Sequence, residues 1–145
     1  MEQKTTLKTY HMVMGADLNP RDNLYAGSCA RYMVETGFLT VQAFLDSPHI
    51  VCFGLTGMKF LKPVKKGTSV CFTGYIVYTG KTSVGVYMEL TEMLGGSKAA
   101  EAYLTFVHIE EATQRPTGHG KTLENIDPEL LPYQKRYAAL KSVRG

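Results

Sequence analysis

Asp17, Asn19, Gly27 and Glu35 are the residue types that hydrolysis of an activated acyl group needs. Such a reaction requires a carboxylate to activate water or to attack directly, and donors aimed at the developing oxyanion. Asp17 and Glu35 are the candidate carboxylates, and the Asn19 amide can orient water or a carbonyl. Gly27 lies near the start of an expected helix, where free backbone N–H groups and a dipole worth about half a positive charge favour an anion. The same spacing also fits a plainer alternative, in which Asp17 and Asn19 shape a turn and Glu35 is a solvated helix residue.

The positioning elements follow from the pattern on either side of Gly27. Asp17, Asn19, Pro20, Asp22 and Asn23 favour turns and caps through side-chain hydrogen bonds or a fixed φ. From Ala26 the residues Cys29, Ala30, Met33, Val34, Gly37, Val41, Phe44 and Leu45 recur at spacings of three and four, while Arg31, Glu35, Gln42 and Asp46 fall on the other side. This predicts a long amphipathic helix ending near Ser47, because Pro48 disfavours helical φ/ψ in the residue before it.

Strands are expected on both sides of that helix. Thr5 to Met14 is rich in β-branched and aromatic residues, and His49 to Leu61 is apolar on both faces, the pattern of a central strand or of one at an interface. Ser69 to Thr79, Thr82 to Glu92 and Lys98 to Ile109 alternate with period two and are joined by the short turns Gly80-Lys81 and Leu94-Gly95-Gly96-Ser97, an antiparallel meander. In the second of these, Val84, Val86, Met88 and Leu90 point inward and Ser83, Tyr87, Glu89 and Thr91 outward. A polar loop from Glu110 to Asn125 leads to Asp127-Pro128-Glu129, a good helix start, and a short terminal helix over Leu130 to Lys141. The fold class is therefore α+β: one long central helix wrapped by a mostly antiparallel sheet of about five strands, with a C-terminal helix. One domain over 1–145 is expected, its core about 5–110 and the rest an extension.

Composition narrows the function. A net charge of +3 does not by itself imply nucleic acid, and no apolar run approaches the ~18 residues that a membrane span needs. With no apolar leader at Met1-Glu2-Gln3-Lys4, a soluble cytoplasmic protein is expected. Cys29, Cys52 and Cys71 lie in apolar patterns without metal spacing and read as reduced core residues. His11, His49, His108 and His119 are scattered, and no metal site is expected. Gly118-His119-Gly120-Lys121-Thr122 has the ending of a phosphate loop, but Arg115 stands at the place of its first glycine.

Three segments together carry a family likeness. Asp17 to Gly27 resembles the D-x-N-x-x-G-x-[LIF]-[FYH]-G-G segment of the hotdog-fold acyl-CoA thioesterases. Gly57 to Gly67 resembles that family's strand ending F-L-x-P-V-x-x-G, and Tyr78 to Val84 its G-[KR]-T-S hairpin. The likeness implies an acyl-CoA substrate, no cofactor beyond the CoA of that substrate, and a homodimer or dimer-based higher oligomer with sites at the interface. It implies catalysis by the loop residues Asp17 and Asn19 and the helix acid Glu35, contributed by opposing subunits. It also implies that the amides of Ala26 and Gly27 polarise the thioester carbonyl, and that Lys62, Lys81, Thr82 and Ser83 lie near the CoA moiety. Asp22 replaces a family glycine, Ala26 replaces the first glycine of the pair, and Val34 stands where many members carry an acid. A CoA-ester lyase or hydratase on the same fold, and a non-catalytic acyl-CoA binder, are the competing expectations.

Overall fold

The structure, a computed structural model, describes residues 3–143. Strand β1 (Thr6–Met12) is followed by a 3₁₀ turn over Gly15–Asp17 and the 20-residue helix α1 (Ala26–Leu45). Strands β2 (Ile50–Phe60), β3 (Ser69–Thr79), β4 (Ser83–Glu92) and β5 (Lys98–His108) then precede a 3₁₀ turn and helix α2 (Leu131–Val143). The sheet order is β1-β3-β4-β5-β2, with every neighbouring pair antiparallel. The expected α+β architecture is present.

Helix α1 covers one face of the sheet, and its buried stripe explains why. Cys29, Met33, Val41, Phe44 and Leu45 pack with Phe72, Val86, Leu104 and Phe106 in one aliphatic and aromatic core. Full burial of each large apolar side chain contributes about 1.5–3 kcal/mol relative to exposure. Thr36 and Thr40 are also buried on this stripe, where an apolar-only reading does not look for them. Their hydroxyls are satisfied locally: Thr36 pairs with Thr9 at 2.6 Å, and Thr40 donates to the Thr36 carbonyl. Ala26, expected on the apolar face, is exposed at the helix mouth. The helix ends at Leu45 because Asp46 adopts the left-handed conformation, φ 54°.

The other sheet face differs from expectation. Tyr87, expected to point outward into solvent, is fully buried, because α2 lies over it. Val77, Tyr87, Tyr103 and Tyr137 form a second core there, and Tyr87 stacks on Tyr133 at 3.9 Å between ring centroids. Tyr78 joins this cluster rather than the α1 side, since the register slips between Ile76 and Tyr78. Lys98 Nζ sits 2.6 Å from Glu101 Oε1 and 3.7 Å from Glu89 Oε2, and it donates to the Tyr133 hydroxyl. The Tyr137 ring occupies the space that a side chain at residue 85 would take: a Cβ on Gly85 would lie 2.4 Å from the ring. Only glycine lets the helix approach so closely.

Strand β2 lies at the sheet edge, which corrects the option of a central strand. Val51 and Phe53 face outward along that edge, Phe53 being 65% exposed, while Ile50, Cys52, Leu55 and Met58 pack on the core under α1. Two register shifts, at Cys52/Gly54 and Thr56/Lys59, twist it where it pairs with β5. Among the described residues no helix is long and apolar enough to cross a membrane.

Candidate active site

The loop before α1 is built around Asn19. Its Oδ1 accepts from the backbone N–H groups of Arg21 (2.9 Å) and Asn23 (3.1 Å), closing an Asx-type turn. Its backbone exchanges bonds with the same loop, donating to the Asn23 carbonyl and accepting from Asp22 N–H. Asp22 sits at φ 60°, so the left-handed turn persists without glycine; aspartate tolerates this region better than most residues. Two further bonds tie the loop to the segment after β2: Leu24 N–H to Val64 O at 2.7 Å, and Lys66 N–H to Asp22 O at 3.0 Å. That tie brings Lys62 beside the mouth of α1.

The mouth itself is open. Tyr25 is the N-cap residue and makes no side-chain capping bond, and the first intrahelical bond is Cys29 N–H to Tyr25 O. The amides of Ala26 and Gly27 thus precede the helical ladder, at the positive end of the dipole. The Tyr25 ring lies against Gly27, where a Cβ would stand 2.5 Å from Cε2, so glycine is needed here for close packing as well as for its amide. A groove of about 450 Å³ opens at this point, lined among others by Asn19, Ala26, Phe60, Leu61 and Lys62. Three of the expected site residues therefore converge. The Lys62 ammonium is partly engaged, 2.9 Å from Glu92 Oε2, a partner the sequence did not reveal.

Asp17 does not line that groove. It is 7% exposed and faces the helix, where Tyr32 donates its hydroxyl to Oδ2 at 2.8 Å and Arg31 lies 3.7 Å from Oδ1. His11 stacks on Tyr32 at 4.0 Å between ring centroids, and the Arg31 guanidinium lies over the same ring. The bond to Asp17, helped by burial, holds the Tyr32 hydroxyl above its usual pKa. Neither Tyr32 nor Arg31 announces this role in sequence, for each sits a turn and a half into α1 among ordinary helix residues. Glu35 is exposed further along the helix, nine residues past Ala26 or about 13 Å of axial rise. That separation keeps Glu35 away from the mouth of its own helix.

Lys81, Thr82 and Ser83 form the turn between β3 and β4 and lie apart from the groove. The loop over residues 117–122 packs against them: His119 donates from its backbone to the Lys81 carbonyl at 3.2 Å. Burial pushes the Cys29 thiol up to about 12, which leaves it inert at neutral pH. Among the described residues no group of three or more His, Cys, Asp or Glu side chains is arranged to hold a metal ion.

The family model of the thioesterase superfamily matches residues 22–92, from Asp22 to the end of β4. The match spans 71 of the 145 residues, just under half of the chain. A Bacillus subtilis protein described as an uncharacterized acyl-CoA thioester hydrolase, YkhA, is 24% identical over 123 residues, 82% of this chain and 70% of that protein. An acyl-CoA hydrolase from Staphylococcus aureus, solved with butyryl coenzyme A and coenzyme A, superposes with a TM-score of 0.80 at 18% identity, over 97% of this chain and 88% of that one. The hexameric thioesterase y2039 from Yersinia pestis superposes with a TM-score of 0.69 at 27% identity, over 81% of this chain and 96% of its own. These likenesses confirm the hotdog fold. The part matched by the thioesterase superfamily model contains Ala26, Gly27, Glu35, Lys62 and Lys81 to Ser83. It begins after Asp17 and Asn19 and ends before the loop at 117–122.

Proposed function

We propose that this chain hydrolyses the thioester of an acyl-CoA to a carboxylic acid and free CoA, working as a homodimer or a dimer-based oligomer. The observation that carries the reading is the uncapped start of α1, which opens into a groove lined by Asn19, Ala26 and Lys62. The amides of Ala26 and Gly27 stabilise the oxyanion as the thioester carbonyl is attacked, and preorganised donors of this kind contribute about 3–4 kcal/mol each. The Asn19 carbonyl is fully used by its turn, so its amide nitrogen is the end that meets substrate. Asp17, oriented by Tyr32, and Glu35 of the second chain are the carboxylates that move the proton of the attacking water. Sulfur leaves as the CoA thiol. No cofactor enters, because the CoA is part of the substrate.

A CoA-ester lyase or hydratase on the same fold is the second reading. It is favoured by α1, where Val34 packs against the core and the acid comes one residue later, about 100° round the helix. A panel of saturated and α,β-unsaturated acyl-CoA esters of graded chain length separates the readings. Release of free thiol from at least one ester is expected. Loss of enoyl-CoA absorbance without thiol release would replace hydrolysis by addition to the acyl chain, and tight binding with no turnover would leave a non-catalytic binder.

A further inference from the structure

The inner face of β1 reaches α1 through Thr9 and His11, and packing alone does not explain the second contact. Thr9 pairs with Thr36, whereas His11 lies flat on the Tyr32 ring, with centroids 4.0 Å apart and planes 26° from parallel. Phe72, fully buried on β3, touches both rings, at 5.6 Å from His11 and 5.7 Å from Tyr32 between centroids. A tyrosine side chain turns about two bonds; this three-ring contact fixes them, and with them the direction of the hydroxyl. It points at Asp17 Oδ2, to which it donates at 2.8 Å. That bond, with burial, pushes the Tyr32 hydroxyl further above its ordinary range, so it stays a donor at neutral pH.

The two oxygens of Asp17 are therefore unequal. Oδ2 is taken by a fixed donor. Among the described residues Oδ1 faces Arg31 alone, 3.7 Å away, beyond hydrogen-bond reach and on a side chain that is 62% exposed. The main chain of Asp17 is pinned as well. Its N–H donates to the Met14 carbonyl at 3.1 Å, and its carbonyl accepts at 2.7 Å from the N–H of Tyr25, the N-cap of α1. One residue is thus tied by its backbone to the helix mouth and by one carboxylate oxygen to the body of the same helix. The other oxygen keeps its lone pairs for an incoming proton.

We propose that Oδ1 of Asp17 is the oxygen that takes the proton of the attacking water, that Tyr32 is the positioning residue that leaves it free to do so, and that His11 holds the Tyr32 ring in place. The water O–H bond breaks as its oxygen bonds to the thioester carbon; the proton goes to Oδ1 and then to the departing sulfur, so Asp17 ends ionised as it began. The proposal rests on the acyl-CoA reading, and the experiment separates their failures. Steady-state turnover is measured on the ester that reacts best, with urea denaturation to show that each variant is folded. Tyr32→Phe keeps the ring and its stack but removes the hydroxyl; kcat falls about tenfold with KM nearly unchanged, the size of one hydrogen bond to a charged group. Added to Asp17→Asn, the same substitution has no further effect, because the hydroxyl then orients no base. His11→Ala lowers kcat severalfold, and His11→Phe, which keeps a flat ring on Tyr32, restores most of it. Wild-type kcat in Tyr32→Phe while Asp17→Asn is slow, or an undiminished further loss when the two are combined, overturns the proposal alone. Wild-type kcat in Asp17→Asn, or no turnover of any ester by the wild type, removes the carboxylate reading and the positioning role with it. Loss of enoyl-CoA absorbance without thiol release replaces hydrolysis, and the pair is upheld if kcat of that water addition responds to the same variants in the same way.

Discussion

Two polar clusters in this molecule look alike on a list of residues and are opposite in kind. Under α2, Lys98 is surrounded: Glu101 and Glu89 face its ammonium, the Tyr133 hydroxyl accepts from it, and the Tyr87 and Tyr133 rings lie within 5.1 Å and 4.8 Å. Tyr87 in turn donates toward Glu89 and Glu101. Every charge there already has its partner, and a helix roofs it over. At the mouth of α1 the carboxylate of Asp17 is held just as firmly, but the amides of Ala26 and Gly27 have no acceptor among the described residues, and the helix start opens onto a groove. A closed network stabilises a fold, whereas donors left waiting are what a substrate can use.

Substitutions break this contrast in different currencies. Asp17→Asn should lower kcat about a hundredfold or more in a folded protein, as loss of a proton-accepting group does; stopped-assay turnover checks it, and near-normal kcat would assign Asp17 to turn shaping. Lys98→Ala should cost about 2 kcal/mol of stability, roughly a thirtyfold shift in the folding equilibrium, because it leaves two half-buried carboxylates facing each other. Urea denaturation measures this, and turnover of the folded fraction should stay near normal. Mixing Asp17→Asn chains with Glu35→Gln chains by joint unfolding and refolding should recover about a quarter of normal activity. About half the dimers are then mixed, each with one intact pocket of two. No recovery, with mixed dimers seen by mass spectrometry, would remove Glu35 or put both acids in one chain's pocket.

The smallest expected effect concerns acid. Burial opposes the Glu101 charge, but the Lys98 hydrogen bond and the Lys98 and Lys59 charges outweigh it and hold this carboxyl below its usual range. A depressed carboxylate stabilises the fold above its unfolded pKa of about 4.3, and that contribution is lost as pH falls through the folded value. Near-ultraviolet dichroism of the tyrosines under α2 should therefore weaken below about pH 4. Glu101→Gln should flatten that limb while lowering stability at neutral pH.

Much of this was legible because local chemistry and tertiary demand agree. The period of three and four is, from Cys29 to Leu45, the buried stripe of α1, and the turn residues from Asp17 to Asn23 do build a turn. The outer face of β4 was misread for a physical reason. Alternation shows which residues share a face, but only the docking of α2 decides whether Tyr87 meets water or a ring. The Tyr32–Asp17 bond joins residues fifteen apart whose types are common in any helix and any turn, so pattern could not reveal it. Nor does spacing reveal that the loop at 117–122 returns to the Lys81 turn, since irregular backbone has no period to read.

The contact between Gly85 and the Tyr137 ring carries a consequence for how such a chain can diverge. The two positions lie on β4 and α2 and are far apart in sequence, yet neither is free to drift alone. A side chain gained at 85 while the ring persists at 137 drives the C-terminal helix off the sheet and uncovers the tyrosines beneath it. Loss of the ring first merely leaves a void, at the milder cost of a truncated core residue. Lineages can therefore cross between the two arrangements in one order and not the other. In descendants of this chain, a residue larger than glycine at 85 records that 137 had already changed.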